Sequence, residues 1–217
     1  MTEPTSKYLY QTKNEEIANS ITHGLGVVLS LVGLVIFIVV SPNGGLKTFS
    51  LIVFGVALTI LFSMSLFSHA LTQPKAKRFF QILDYATIYI LIAGTYTPII
   101  LGPLNTQTGV ILLIIIWALA IGGVLFKIFL IGKYELISMI TYLSMGWMIV
   151  FFISDFVHKV PLEFLLWIGA GGICYTVGTI FYLSTKIRYH NFIWHIFVLI
   201  GSICHYLGIL FYIALSH

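Results

Sequence analysis

Seven apolar runs, separated by short polar breaks, fill almost the whole of this chain. They lie at roughly 20–41, 46–69, 79–101, 108–131, 134–155, 161–183 and 191–215. Crossing ~30 Å of hydrocarbon takes about 20 apolar residues in a helix, the element that satisfies its own backbone polar groups without water. The composition agrees: of 217 residues, 59% are hydrophobic and 8% charged, with a mean hydropathy of +1.03. No water-soluble domain of this size needs so much apolar surface. The expectation is an all-α, polytopic membrane protein: a single domain over residues 1–217 that forms a seven-transmembrane helix bundle.

The breaks read as short loops: Ser41-Pro42-Asn43-Gly44-Gly45, Gln73-Pro74-Lys75, Gly102-Pro103-Leu104-Asn105, Gly132-Lys133, His158-Lys159-Val160-Pro161 and Lys186-Ile187-Arg188. The polar start, Met1 to Lys7, is followed by a first run with neither a cationic leader nor a small-residue cleavage pattern, so it reads as a retained span. Loop charge then orients the bundle. Lys7, Lys13, Lys75, Lys77, Arg78, Lys127, Lys133, Lys186 and Arg188 fall at one end, against Lys47 and Lys159 at the other. The positive-inside rule places the N-terminus in the cytoplasm and the C-terminus outside. The net charge of +4 follows from these loops and suits anionic lipid heads. No basic stripe with interleaved aromatics points to nucleic acid. Membrane lipids are the expected partners, with no soluble protein partner implied. Cys174 and Cys204 lack C-x-x-C spacing and read as packing residues.

With that orientation, the ionisable residues in the apolar runs converge on one level. Asp84 is the only acidic residue set more than two positions inside a run, in the second turn of span three; Glu135, Asp155 and Glu163 lie at run ends. His23 ends span one on the cytoplasmic side, Ser65 and His69 end span two, and His195 lies about one turn into span seven. An ionisable group in hydrocarbon is costly and requires compensation. Imidazoles with a carboxylate are best compensated by a divalent metal, zinc first. Glu16, Asn19 and His23 step by three and then four, which sets them on one helical face. Plainer roles exist for each group. A histidine at a helix end commonly keeps its polar tip in water. Glu16 and Asn19 can cap the first helix, and Ser65 can bond its own i−4 carbonyl. Asp84 has no such ready alternative. His205, ten residues past His195 and so about 15 Å further along the helix, is too far away to share one metal with it.

Several motifs appear in a fixed order: Glu16-Ile-Ala-Asn19-Ser-Ile-Thr-His23, Ser65-Leu-Phe-Ser-His69, Leu83-Asp84-Tyr85, Ala93-Gly-Thr-Tyr-Thr-Pro98, Met145-Gly-Trp147 and Ile193-Trp-His195-Ile-Phe-Val-Leu. Together they resemble the hemolysin III family, the bacterial branch of the progestin and adiponectin receptor superfamily. The resemblance runs from about Glu15 to the C-terminus. It implies a bacterial inner-membrane protein with zinc near the cytoplasmic face, held as in a hydrolase centre by three histidines beside a water and an aspartate. By this resemblance His69 and His195 match metal ligands, Asp84 matches the water-binding aspartate, and Ser65 belongs to the span-two motif, with Glu16, Asn19 and His23 behind them. One position departs. The family pattern in span seven is His-x-x-x-His, and here Asn191 stands four residues before His195, with His190 one place earlier. A step of four sets side chains about 40° apart on a helix and a step of five about 140° apart. The third ligand is therefore expected to be His190, through an unwound helix start, or else Asn191 or none. The activity implied is hydrolysis of a ceramide-like lipid amide, with Asp84 as general base and Ser65 beside the oxyanion. A membrane-state sensor with structural zinc and a pore-forming hemolysin are the competing readings.

Overall fold

The computed structural model describes residues 11–41, 44–130, 134–184 and 186–215. Pro42, Asn43, Gly132, Lys133, Lys7 and His217 lie outside them. The described residues form helices and short connections, with no strand among them. In chain order the helices are α1 (Lys13–Val40), α2 (Gly45–Ala70), α3 (Pro74–Leu101), α4 (Gln107–Leu130), α5 (Glu135–Gly146), α6 (Ile153–Val157), α7 (Leu162–Leu183) and α8 (His190–Ile209). Six of these segments are long and apolar enough to cross a membrane, α8 counting with the π-helical turn Leu210–Ala214 that extends it.

Two helices begin earlier than the apolar runs suggest. α1 starts at Lys13 because Thr12 and Glu15 form a capping box: Thr12 Oγ1 accepts the Glu15 N–H at 3.4 Å, and Glu15 Oε2 accepts the Thr12 N–H at 3.0 Å. α3 starts at Pro74, a residue suited to a first turn because its missing N–H needs no helical partner. Polar first turns are invisible to a hydropathy reading, yet here they carry residues of the site.

The fifth apolar run departs from expectation. In place of one helix over 134–155, α5 stops at Gly146, a 3-10 turn spans Met148–Phe152, and α6 follows. Tyr96 of α3 holds this break. Its hydroxyl lies 3.0 Å from both the Met145 and Gly146 carbonyls, to which it donates, and it accepts the Ile149 N–H at 2.9 Å. A broken helix frees backbone groups that hydrocarbon cannot satisfy, and a buried phenol from a neighbouring helix satisfies them here.

The core lies along α2 and α3, which carry Leu51, Phe54, Leu61, Ala93 and Ile100. α1 and α4 flank this pair, and α8 reaches α1 on one side and α7 on the other. Small residues set the spacing. A Cβ added at Gly94 would lie 2.7 Å from Ala57, and one added at Gly171 would overlap the His205 imidazole. Much of the outer surface of α1 and α4 is aliphatic, for example Ile21, Val39, Ile114 and Ile121. On a water-soluble protein so large an apolar surface would be an aggregation liability; against lipid it is what a bundle exposes.

Candidate metal centre

The polar residues of the apolar runs gather where α1, α2, α3 and α8 meet at one end of the bundle. α1 contributes Glu16, Asn19 and His23 from successive turns of one face; Asn19 and His23 are almost wholly inaccessible, at 0% and 1%. α2 brings Ser65, Ser68 and His69 from its last two turns, α3 brings Asp84, and α8 brings Asn191 and His195 from its first two.

Three imidazoles form the centre. The ring centroids of His23 and His195 are 4.2 Å apart, those of His69 and His195 5.1 Å, and those of His23 and His69 5.8 Å with the planes nearly parallel. One ring nitrogen from each can be chosen so that all three lie within 4.8 Å of one another. Two buried imidazoles, with the half-buried His69 beside them, are costly to enclose unless something is shared between them.

Each ring is fixed from behind. His69 Nδ1–H donates to Glu16 Oε2 at 2.7 Å, which turns its Nε2 away from the carboxylate. Lys77 Nζ holds the other oxygen of Glu16 at 2.8 Å and donates to the Ser68 carbonyl at 2.9 Å. His23 Nε2 pairs with Ser65 Oγ at 2.9 Å. Asn191 Nδ2–H donates to His195 Nε2 at 2.8 Å. A carboxylate that accepts an imidazole N–H, as Glu16 does from His69, sets the orientation of imidazoles around metals. Asp84 completes the group, its carboxylate beside Ser65, Ser68 and His69 and accepting from Ser68 Oγ at 3.1 Å.

The chemistry of this set fits a divalent cation. His23 Nδ1 is enclosed and has no hydrogen-bond partner among the described residues, an orphaned donor or acceptor that a metal would satisfy. Three imidazoles with a carboxylate nearby match the ligand preferences of zinc, although other first-row metals accept the same donors.

The positions of the predicted residues differ in one respect from the sequence reading. His69, His195, Asp84 and Ser65 are brought together, but the third histidine of the group is His23, which the sequence placed behind the ligands. His190 is not part of the group. α8 begins at His190, with the Ile193 N–H already bonded to the Tyr189 carbonyl at 3.0 Å, so the step of five sets His190 and His195 about 140° apart around the helix. Asn191, one turn from His195, lies on the right face but spends its amide on the His195 ring.

Sequence reasoning missed Glu15. Its Oε1 accepts the Tyr189 N–H at 3.0 Å, tying the start of α1 to the start of α8. Tyr189 sits in the left-handed region at φ 59°, a strained setting for a bulky residue that surrounding contacts must hold. The signal was present, since Thr12-x-x-Glu15 is a capping-box pattern.

A membrane-embedded helical bundle with a buried polyhistidine cluster at one end is the class of protein these observations define. Residues 11–206 match the model of the family described as Haemolysin-III related. The chain is 44% identical over 190 residues to the Hemolysin-3 homolog of Bacillus subtilis (strain 168), covering 87% of this chain and 89% of that one. It is 41% identical over 201 residues to Hemolysin-3 of Bacillus cereus, covering 92% and 91%. A more distant likeness, 28% over 194 residues covering 85% and 78%, is to the monocyte to macrophage differentiation factor of Homo sapiens. No solved structure matches the chain. The protein belongs to the hemolysin III family, with relatives that extend to the progestin and adiponectin receptor superfamily, and it is an integral membrane protein.

Proposed function

We propose that this protein is a zinc-dependent hydrolase of a lipid amide, ceramide-like in character, working at the inner leaflet. The observation that carries the proposal is the convergence of His23, His69 and His195 beside Asp84. His23, His69 and His195 would hold the ion, with Glu16 orienting the His69 ring. When bound, zinc acts as a Lewis acid that lowers the pKa of water toward ~7 and polarises a carbonyl. Asp84, steadied by Ser68, takes the proton from the attacking water and can return it to the leaving amine. Ser65 stands within reach of His23 and Asp84 and can donate to the developing oxyanion. A lipid substrate is supported by the cleft that begins one turn below these residues: Leu61, Ile88 and Val198 line it, and they follow the same helices as Ser65, Asp84 and His195. In this reading the broken fifth segment is a seventh crossing, and the N-terminus faces the cytoplasm, the side to which the loop cations point.

The experiment pairs metal analysis of the purified protein with a lipid-amidase assay on the native chain and Asp84→Ala. The proposal expects zinc in both and turnover only in the native chain. Equal turnover in the two would remove the hydrolase mechanism. Zinc without turnover in either would favour a sensor with structural metal. The Bacillus relatives are named as hemolysins, so dye leakage from liposomes carrying the native chain would support a pore instead.

A further inference from the structure

The three rings of the centre are not wired alike. A neutral imidazole carries one N–H and one bare lone pair, and only the lone pair can take a cation. His69 gives its Nδ1–H to Glu16 at 2.7 Å, which leaves Nε2 bare. His23 Nε2 lies 2.9 Å from Ser65 Oγ, an oxygen that can accept, so this ring can keep its hydrogen there and leave Nδ1 bare. His195 is set the other way round. An amide nitrogen only donates, and Asn191 Nδ2 lies 2.8 Å from His195 Nε2, so the Nε2 lone pair is already taken and the ring hydrogen belongs on Nδ1. In that arrangement His195 has nothing to offer an ion. The bond to Asn191 and an ion on His195 exclude each other.

The amide is held where it is. Asn191 is 9% exposed, lies in the first turn of α8 and stands one turn before His195 on the same helical face. Two places earlier, the Tyr189 N–H is fixed by Glu15 Oε1 at 3.0 Å, which anchors the start of this helix to α1. A side chain so enclosed and so close to the ring cannot stand clear of what happens at His195.

We propose that Asn191 is a built-in competitor for the cation at His195. The inference rests on the metal reading above and concerns how firmly that centre keeps its ion. Loading has to break the Asn191–His195 bond before the ring can present a lone pair. The centre therefore binds more weakly than its three rings alone would, and it gives the ion up more readily. No proton is gained or lost: the ring stays neutral, with its hydrogen on the nitrogen that does not meet the ion.

The experiment follows zinc itself, with the full chain in detergent and no substrate. Competition with a chelator gives the zinc affinity of the native chain and of Asn191→Leu, which keeps the bulk of the side chain and removes the donor. The variant should bind zinc about threefold to tenfold more tightly, the range of one neutral hydrogen bond. An affinity that is unchanged or lower would overturn the proposal, since the amide would then not oppose the ion. Should the variant fold poorly, NMR of the native chain labelled with ¹⁵N reads the same bond. Zinc added to chelator-treated protein should move the Asn191 side-chain amide resonance together with those of the His195 ring, and renewed chelator should return both. An Asn191 amide indifferent to zinc while His23 and His69 respond would overturn the proposal alone; zinc that moves none of the three rings would overturn the metal reading with it.

Discussion

Glu16 links the end of α2 to the start of α3 through a single carboxylate, holding His69 with one oxygen and Lys77 with the other. Buried charge is tolerable when it is paired and hydrogen-bonded, and this carboxylate has both compensations. Its removal should therefore act through the metal. Glu16→Gln is expected to weaken zinc binding about 10- to 100-fold, the usual effect of losing an orienting partner, as read by competition with a chelator. His23→Ala should abolish stoichiometric zinc, while His190→Ala should leave the zinc content of the purified protein unchanged. The second pair of variants separates the structural arrangement from the sequence expectation. The three-then-four spacing of Glu16, Asn19 and His23 made their shared face legible. Whether that face supplied ligands or supports was not, because the distance from α1 to α8 is a tertiary fact. The same holds for Asn191, whose identity was plain but whose amide partner was not.

At the scale of elements, seven apolar runs were legible from hydropathy, and the break in the fifth was not. Met145-Gly146-Trp147 contains no proline and only one glycine, so nothing local marks the end of α5 there. The break is stabilised from outside, by the Tyr96 hydroxyl on the Met145, Gly146 and Ile149 backbone and by Trp147 Nε1 donating to Thr176 Oγ1 at 2.9 Å. Tyr96→Phe leaves those buried groups short of a partner, at a cost of about 1–3 kcal/mol. For a chain of this length a kcal/mol corresponds to roughly 2–4 °C, so the thermal midpoint in detergent should fall by several degrees. Zinc content should be preserved, because Tyr96 is three turns along α3 from Asp84. The clasp between α1 and α8 makes the opposite prediction. Glu15→Gln keeps the capping geometry but weakens the charge-assisted bond to the Tyr189 N–H, and it should loosen zinc together with stability, because His23 and His195 ride on the two helices it joins.

For the whole molecule, the bias of cationic loops toward one end and the gathering of polar side chains at that same end are two independent patterns that agree. The hydrocarbon-facing surface needed no tertiary information, since a chain this apolar has few other ways to fold. The orientation in the membrane is a proposal with its own check: a single cysteine placed near the N-terminus should react with a membrane-impermeant maleimide in inverted vesicles and stay protected in right-side-out ones. The central claim is that histidines from α1, α2 and α8 surround one cation. Anomalous X-ray scattering at the zinc edge from crystals of the native protein reads it most directly. The account predicts a single peak within coordination distance of His23, His69 and His195, with Asp84 close by. A peak at His190 with His23 uninvolved, or no peak among the three rings in protein that had never met a chelator, would contradict it.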